Sequence, residues 1–513
     1  MRRPFSVAFL GFFLILKISG PGASAQAPEL PSGVASALET IRAASLKGHL
    51  SFLASDLLEG RDTPSRGQDL AAEYIAAQFR RAGLEPIGDD GYFQTASWKL
   101  SESDPGSFEV LFQDDDTMVR VSPDRVSLAG AGPIDLSGLL VKLDAADAEA
   151  LDALPEDAVK GKAVLVRPPQ DTRARSSFFN RLRRLGPSLA ITLEPGATPS
   201  GLGRGRLIDP EAGGGRLGMG LSSSGPKRVA IHDAQAVQQI QALANQDGTT
   251  VRLRLGPAEE RPVKLRNVVG RLKGSDPELA QTAVLVTAHY DHIGIGEPQD
   301  GDRIYNGAND DGSGTVSVIE LAAALATLKG PPKRSIIFMC FFGEEKGLLG
   351  SRFYGRHPIV PLDKTIAQVN LEHVGRTDDT EGPRVDAVSV TGYDYSTMVD
   401  VLRKAGEATG VKVEKHPRNS DAFFGASDNQ ALADLGVPAH SVCTSFIFPD
   451  YHRPGDHWEK VDYANMAKVN RMVAVGLWLL ANDAKAPVWN ADNPRAARYA
   501  KARERSQAAG EAP

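Results

Sequence analysis

Side chains that can bind metal ions or move protons form five short groups in the second half of this 513-residue sequence. The first four groups lie beside apolar runs, where the ends of buried strands are expected, and the fifth lies further along the chain. The members are His289, Asp291 and His292; Asp310 and Asp311; Glu344 and Glu345; Glu372 and His373; and Tyr451, His452 and Asp456.

Acidic pairs after a run as apolar as residues 338–342 are costly to bury unless something neutralises them. Divalent cations would neutralise all of these groups together. Imidazole and carboxylate are suitable zinc ligands, and one carboxylate can bridge two ions about 3.5–4 Å apart in a hydrolase. Each group alone is typical of a surface histidine, a solvated acidic pair or a helix N-cap. Four groups at successive strand ends indicate one dedicated metal site instead.

From residue 267 onward, short apolar runs alternate with longer helical patterns, which favours an α/β fold. Runs that are almost continuously apolar are expected of strands buried on both faces. The predicted fold is a mostly parallel, mixed sheet with helices on both faces, and ligands bind such sheets at the carboxyl ends of the strands. The predicted strands are 284–288, 335–342, 366–371 and 437–443, and the predicted helices are 316–328, 396–408 and 462–480.

The chain is long enough for at least two domains. Residues 1–25 are predicted to be a secretory signal peptide, because two arginines precede an apolar stretch that ends near Ala-Ser-Ala. A membrane anchor is the alternative, but the apolar stretch is short for a bilayer span. The remaining predicted segments are the N-terminal part of the catalytic domain at 26–100, a β-rich insert at 101–262, the catalytic domain at 263–485 and a flexible tail at 486–513. Within the insert, the glycine-rich and serine-rich residues 201–225 are predicted to form a long loop.

Composition excludes several classes of protein. The net charge of −6 provides no electrostatic basis for nucleic-acid binding. Two cysteines, Cys340 and Cys443, are too few for a disulfide scaffold. They are predicted to be buried free thiols, although neighbouring strands would allow a bridge. Neither a serine-nucleophile motif nor a phosphate-binding loop is present in the sequence.

The motifs resemble those of the di-zinc aminopeptidases that are related to glutamate carboxypeptidases and the transferrin-receptor ectodomain. Residues 49–61 are similar to the usual opening of that family, and 159–166 make the insert similar to a protease-associated domain. The resemblance implies an α/β fold of the zinc-exopeptidase type. It rests on His289-x-Asp291, the Tyr-Asn-Gly-Ala-Asn-Asp-Asp-Gly-Ser-Gly run at 305–314, the Phe-Gly-Glu-Glu-Lys-Gly-Leu-Leu-Gly-Ser run at 342–351, Asn370-Leu371-Glu372 and Tyr451-His452.

The resemblance also implies which residues bind metal. Two zinc ions per chain are expected, with Asp310 bridging them. His289 and Glu372 would complete the site of one ion, and Glu345 and His452 would complete the site of the other. Each ion then keeps a position for a shared water.

Two further residues receive roles from the resemblance. Asp291 would hold the imidazole of His289 in place. Glu344 would be the general base that takes a proton from the water and passes it to the leaving amine. Zinc would supply the nucleophile, because it lowers the pKa of water to about 7.

Two positions depart from the family pattern. Glu372 stands where the family most often has Asp, and Asn429 stands where a His is common. Among the other polar residues, His292 either lines the cleft or has a structural role, while His373 and His457 receive no role.

The predicted function is hydrolysis of peptide bonds next to a chain terminus by an exported, periplasmic or extracellular enzyme, most simply an aminopeptidase. Its partners are expected to be peptide substrates, with no nucleic acid and no membrane span after signal removal. Three alternatives remain: a carboxypeptidase or dipeptidase on the same scaffold, a glutaminyl cyclase, and a non-catalytic receptor-like binding protein. The preferred terminal residue, the oligomeric state and the role of the insert stay open.

Overall fold

The computed structural model describes residues 30–129, 132–155, 157–197, 199, 201–202, 205–211 and 226–510. The predicted signal peptide at 1–25 lies outside these residues. Within them, no helix combines the length and apolarity that crossing a membrane requires.

The described residues form strands and helices in the following order. The strands are β1 (Glu85–Pro86), β2 (Phe93–Glu102), β3 (Glu109–Gln113), β4 (Met118–Val121), β5 (Val126–Ala129), β6 (Ile134–Lys142), β7 (Ala163–Leu165), β8 (Leu189–Leu193), β9 (Arg206–Ile208), β10 (Lys227–Ile231), β11 (Thr250–Leu255), β12 (Glu259–Leu272), β13 (Ala283–His289), β14 (Gly294–Gln299), β15 (Asp302–Tyr305), β16 (Ser335–Phe341), β17 (Thr365–Glu372), β18 (Ala387–Val390), β19 (Lys412–Glu414) and β20 (Ala439–Cys443). The helices are α1 (Ser32–Glu39), α2 (Ala43–Leu53), α3 (Arg66–Arg81), α4 (Ala148–Asp152), α5 (Thr172–Arg184), α6 (Ala234–Leu243), α7 (Ser313–Leu325), α8 (Leu349–Arg356), α9 (Met398–Thr409), α10 (Asn419–Ala422), α11 (Asn429–Ala433), α12 (Tyr463–Asn482) and α13 (Ala497–Gly510).

The larger sheet has ten strands in the order β19-β18-β20-β17-β13-β16-β12-β2-β9, with β1 paired to β12. Strands β20, β17, β13 and β16 run parallel to one another at its centre. Antiparallel strands flank this centre, since β12 pairs antiparallel with β16 and β18 pairs antiparallel with β20. The predicted mixed α/β sheet is therefore confirmed.

Alternation along the central strands explains why helices cover both faces. Val284 and Val286 of β13 face one hydrophobic core, while Ala283 and Leu285 face another. Helices α2, α3, α7, α9 and α12 contribute to the first core, and α8, α11 and α13 contribute to the second. Each of the predicted strands and helices in this part of the chain is present, with ends shifted by at most three residues.

Residues 109–255 contain all eight strands of a second sheet, in the order β4-β3-β11-β6-β7-β8-β10-β5. This sheet has its own hydrophobic core, to which α6 contributes Val237 and Ile240. Its likeness to a protease-associated domain stays an interpretation of the sequence.

One short strand of the intervening segment leaves the second sheet. Strand β9 lies in the stretch predicted to be a long loop, and it pairs antiparallel with β2 at the edge of the larger sheet. A strand at the edge of a sheet exposes unpaired backbone N–H and C=O groups. Such groups of β2 pair with β9, which the sequence pattern did not indicate.

The segment predicted to be a flexible tail, 486–513, contains a packed helix instead. Helix α13 buries Tyr499 and Ala502, and the Tyr499 ring stacks on Trp489 with ring centroids 5.0 Å apart. The apolar face was missed because it is narrow: it consists of an alanine, a tyrosine and another alanine at three-residue spacing among charged side chains.

The two cysteines are free and buried. Cys340 lies in β16 and Cys443 in β20, with β13 and β17 between them in the sheet order. They are therefore not on neighbouring strands, which the alternative of a disulfide required.

Candidate metal centre

Three neighbouring parallel strands bring most of the predicted site residues to one edge of the sheet. His289 is the last residue of β13 and Glu372 the last residue of β17, while Glu344 and Glu345 follow β16. In the sheet order, β13 lies between β17 and β16. Because parallel strands end on the same edge, residues that are far apart in sequence meet there.

The first group of possible ligands consists of His289, Asp310 and Glu372. Nε2 of His289 lies 3.4 Å from Oδ1 of Asp310 and 3.3 Å from Oε1 of Glu372. Nδ1 of the same ring lies 3.2 Å from the backbone carbonyl oxygen of Asp291. Since Nδ1 is placed to donate to that carbonyl, Nε2 is left to face the two carboxylates with its lone pair.

The second group shares Asp310 and adds Glu345 with two histidines. Nε2 of His452 lies 3.0 Å from Oδ2 of Asp310 and 3.4 Å from Oε2 of Glu345. Nδ1 of His292 lies 2.7 Å from Oε1 of Glu345 and 3.9 Å from Oδ2 of Asp310. The His452 ring stacks on Tyr451 at the more exposed side of the site, whereas His292 is completely buried.

Several buried polar atoms at the centre make no hydrogen bond. Because almost all buried polar groups in proteins are hydrogen-bonded, such a cluster needs a physical explanation. Two sets of possible ligand atoms, His289–Asp310–Glu372 and His292–Asp310–Glu345, each lie within 4.8 Å of one another. Cations bound by these sets would satisfy the unpaired atoms, so the residues fit zinc with Asp310 common to both sites. The atoms without a hydrogen bond are both ring nitrogens of His292, Oδ2 of Asp310, Oε1 of Glu345 and Nε2 of His373, although several of them lie within 4 Å of an oppositely charged group.

A buried carboxylate and a buried guanidinium hold the loop that carries Asp310. Oδ2 of Asp456 accepts hydrogen bonds from the backbone N–H groups of Asn309 and Asp310, at 2.9 and 3.1 Å. Arg61 donates to the carbonyl oxygens of Asn306 and Gly307, at 2.7 and 2.9 Å. The loop is therefore fixed from two sides before any ligand binds.

Arg61 also holds the chain around His289. It donates to the carbonyl oxygens of Tyr290 at 2.7 Å and Leu53 at 2.5 Å. Burial lowers the pKa of Arg61 to about 10, and the Asp291 carboxylate opposes that change. The guanidinium thus stays charged at neutral pH and joins two ligand-bearing segments.

The adjacent acids Glu344 and Glu345 have opposite electrostatic environments. Burial raises the pKa of Glu344 well above its usual range; the Glu372 carboxylate adds to that rise, and His289 opposes it. For Glu345, burial and the Asp310 charge favour the neutral form, but the imidazoles of His292 and His452 outweigh them and lower the pKa to about 2. Neighbouring acids with such different pKa values can divide proton transfer and cation binding between them.

Asp291 contacts the site differently from the expectation. Its Oδ1 lies 3.7 Å from Nδ1 of His289, so the shorter contact to that ring comes from the Asp291 backbone carbonyl. The carboxylate instead accepts from the backbone N–H of Glu344 at 3.1 Å and from the Thr63 hydroxyl at 3.2 Å. Asp291 therefore connects the position of Glu344 with the position of His289.

The structure brings all seven predicted site residues together and adds two histidines that sequence reasoning had left without a firm role. One is His292, described above. The other is His373, whose Nε2 lies 3.4 Å from Oδ1 of Asp310 and 3.5 Å from Oε1 of Glu372. Their position directly after Asp291 and Glu372 was the available signal.

The two departures from the family pattern are now explained by their contacts. Oε2 of Glu372 accepts a short hydrogen bond from the Ser427 hydroxyl, which fixes the longer side chain. Asn429 is completely buried; it donates to the Phe424 carbonyl and accepts from the Ser441 hydroxyl, both at 2.9 Å. Its amide is therefore held by these two partners.

The centre opens into a cleft of about 700 Å³. That volume lies within the range of ligand pockets in proteins, roughly 300–1,000 Å³. The cleft is lined by residues of both groups and by more distant ones, including Asp310, Glu344, Glu345, Glu372, His452, Trp98, Arg206 and Arg352.

Comparison with known proteins agrees with this geometry. Residues 267–476 match Peptidase family M28. The chain is 41% identical over 214 residues to a probable zinc metalloprotease of Pyricularia oryzae, covering 39% of this chain and 39% of the relative. It is 27% identical over 212 residues to Aminopeptidase YwaD of Bacillus subtilis, covering 40% of this chain and 42% of the relative. The chain thus spans less than half the length of these two curated relatives.

Solved structures share the fold. A zinc aminopeptidase from Bacillus subtilis superposes with a TM-score of 0.56 at 21% identity, covering 87% of this chain and 97% of that one. An aminopeptidase from Aneurinibacillus sp. strain AM-1 gives a TM-score of 0.55 at 18% identity, covering 88% of this chain and 97% of that one. The segment 267–476, which matches Peptidase family M28, contains every histidine and carboxylate of the candidate metal centre.

Proposed function

We propose that this chain is an exported zinc metallo-exopeptidase that uses two zinc ions and most simply acts as an aminopeptidase. The observation that carries the proposal is the pair of ligand sets that share Asp310, with unpaired buried atoms, beside Glu344. The names of the relatives, which include a zinc metalloprotease and an aminopeptidase, support the same activity. The signal-like residues 1–25 support export.

In the proposed reaction, His289, Asp310 and Glu372 would hold one zinc. Asp310, Glu345 and His452 would hold the other, with His292 beside Glu345. When bound, zinc supplies a Lewis acid for the scissile carbonyl and lowers the pKa of water. Glu344 accepts a proton from the attacking water and donates it to the leaving amide nitrogen. The raised pKa of Glu344 favours the first step, because it strengthens the carboxylate as an acceptor of the proton from water.

Replacing the base tests this assignment. We expect Glu344→Ala to keep its zinc but to lose at least about 100-fold in kcat, the usual lower contribution of a general base. Zinc content measured by mass spectrometry and kcat on an aminoacyl p-nitroanilide panel, with and without a chelator, check both halves of the expectation. Glu278→Ala, which removes an exposed glutamate away from the cleft, is the matched control.

Three outcomes would correct the proposal at different points. Full activity of Glu344→Ala would mean that another group is the base. Release of the C-terminal residue from peptides whose N-terminus is blocked would replace the aminopeptidase by a carboxypeptidase. Absence of zinc from purified protein, where about two ions per chain are expected, would favour a receptor-like protein.

A further inference from the structure

The cleft that contains the metal ligands is also lined by two arginines, Arg206 and Arg352. Arg206 belongs to β9, in the segment between the strands of the second sheet, whereas Arg352 belongs to α8 of the larger domain. Neither guanidinium has an ion-pair or hydrogen-bond partner among the residues that the structure describes. A third cation of the cleft, Lys346, is already neutralised by Asp62 at 2.8 Å. Arg206 and Arg352 are therefore the cleft's cations that remain available to a ligand.

The position of Arg206 is fixed by contacts on both sides of β9. Ser101 of β2 pairs with Arg206 in the antiparallel register. Beyond β9, the buried carboxylate of Asp209 forms an ion pair with Arg356, and His357 contacts Glu211 at 2.5 Å. The intervening segment is thus tied to the larger sheet next to the arginine that enters the cleft.

The same helix contributes the second arginine. Arg352 and Arg356 are four residues apart on α8 and therefore project from one side of the helix. Arg356 holds the docked segment through Asp209, while Arg352 lines the cleft. The same face of α8 therefore anchors the intervening segment and contributes an arginine to the cleft.

The charge balance of the cleft points to an anionic ligand group. Zinc bound at Asp310, Glu345 and Glu372 would neutralise those carboxylates, which leaves Glu344 as the remaining carboxylate of the cleft against two guanidinium groups. Guanidinium groups bind carboxylates through two parallel hydrogen bonds and stay charged at all physiological pH values. A cleft of about 700 Å³ has room for a short peptide between the metal centre and these arginines.

We propose that Arg206 and Arg352 bind a carboxylate of the substrate that lies on the C-terminal side of the scissile bond. This inference rests on the proposed peptidase function. The preferred substrates are then short peptides that carry this carboxylate, either as their C-terminus or as an acidic side chain. The intervening segment has a defined task in this arrangement, because it supplies one of the two cations.

Matched peptides measure the preference. The probes are Ala-Ala-Ala, its C-terminal amide, Ala-Ala-Asp amide and Ala-Ala-Asn amide, each assayed for kcat/KM with wild type, Arg206→Ala, Arg352→Ala and the double variant. Hydrogen bonds to charged groups predict a preference of roughly 10- to 100-fold for the carboxylate over its amide partner in wild type. The arginine variants should lose that preference mainly through KM and should cleave the neutral amides as wild type does. Arg254→Ala removes an exposed arginine of β11 in the second sheet and is the control.

Each result has one meaning. Preference for Ala-Ala-Ala over its amide identifies the C-terminus as the source, and preference for the Asp peptide identifies an acidic side chain. Equal cleavage of acids and amides by wild type, or an unchanged preference in the double variant, overturns the inference and leaves the peptidase proposal intact.

If zinc-loaded wild type cleaves none of the peptides, the peptidase proposal fails and binding decides the inference separately. The readout is then the binding of Ala-Ala-Ala and of its amide, measured by calorimetry. Two proteins are compared: the Glu344→Gln variant, and the same variant with Arg206→Ala and Arg352→Ala added. Tighter binding of the acid that depends on the arginines supports the carboxylate site, and indistinguishable binding refutes it.

Discussion

At the scale of single residues, chemically identical side chains differ through their surroundings. Glu344 and Glu345 are adjacent, yet the backbone N–H of Glu344 is fixed by Asp291, while the carboxylate of Glu345 faces His292 and His452. Burial raises the pKa of Glu344, whereas the imidazoles of His292 and His452 lower the pKa of Glu345 to about 2. We infer that one acid is free to move a proton because the other is committed to the cations.

His452 and His292 both contact Asp310 and Glu345, but they should differ in their effect on metal content. We expect His452→Ala to lower zinc content from about two ions towards one, because it removes a ligand. His292→Ala should keep both ions but weaken zinc affinity by about 10- to 100-fold, as expected for a group that supports a ligand. Competition with a fluorescent chelator measures both effects, and His457→Ala is the control. An equal loss of zinc in the two variants would make His292 a ligand as well.

His440 offers a test of pH dependence away from the metal centre. Burial lowers its pKa from 6.5 to about 4, and its Nε2 lies 2.6 Å from the Ser396 hydroxyl. The unfolded chain takes up the proton first as pH falls, so this stability contribution is present above pH 6.5 and is lost between pH 6.5 and about 4. Replacement of His440 by Gln should reduce the loss of unfolding free energy between pH 7 and pH 4.5 by about 2 kcal/mol.

Urea titrations of wild type and the His440→Gln variant at both pH values measure this difference. A variant at an exposed residue that does not titrate, such as Gln239→Ala on α6, should follow wild type. Parallel pH dependences for wild type and the buried variant would show that His440 does not titrate in this range.

At the scale of elements, the loops that carry ligands are held by a side chain from outside the matched family segment. Arg61 follows α2 and donates to carbonyl oxygens before and after the β14–β15 hairpin, at Tyr290, Asn306 and Gly307. A fully buried guanidinium with several carbonyl partners is suited to this role because its donors are fixed in one plane.

Arg61→Lys keeps the charge but loses this planar set of donors. We expect zinc affinity to fall by about 10- to 100-fold, the usual effect of removing support from metal ligands. Arg66→Lys, an exposed change on α3, should bind zinc as wild type does. Chelator competition measures the affinities, and circular dichroism checks that both variants are folded. Wild-type zinc affinity in Arg61→Lys would show that the loops hold their geometry without the guanidinium.

Element prediction succeeded where the pattern was continuous. The runs that became β13, β16 and β17 are almost wholly apolar, so burial on both faces was the simplest interpretation. Helix α13 and strand β9 were missed because each gains its stability from partners elsewhere in the fold. Tyr499 packs against Trp489 and Phe424, and β9 extends the edge of β2.

At the scale of the whole molecule, the metal centre joins segments that are distant in the chain. Asp310, Glu372 and His452 come from three different parts of the second half of the chain, and their side chains meet at one site. Carboxylates gathered in this way repel one another unless cations lie between them. Metal binding is therefore expected to stabilise the entire fold.

Chelation should consequently lower the melting temperature, and zinc should restore it. Free zinc at 100 times its dissociation constant stabilises the folded state by about 2.7 kcal/mol per site. Differential scanning fluorimetry over a zinc titration measures the effect, with Mg²⁺ as control because it binds imidazole poorly. An unchanged melting temperature after complete removal of metal would contradict the proposed role of the cations.

The sequence by itself determined the ligand candidates and the class of fold. The motifs that contain the ligand candidates are short, so their residue types and spacing can be recognised from the sequence without the fold. The candidates in these motifs are His289, Asp310, Glu345 and Glu372. The apolar runs beside them likewise predict buried strands without reference to any partner.

Only the tertiary structure decided which groups face one another. It placed His292 beside Glu345, turned the carboxylate of Asp291 towards the backbone of Glu344, and brought Arg206 into the same cleft as Arg352. These contacts depend on strand order, on the docking of β9 and on loop conformation, which are set by packing between segments far apart in the chain. The separation of two residues along the sequence therefore does not predict whether their side chains meet in the folded protein.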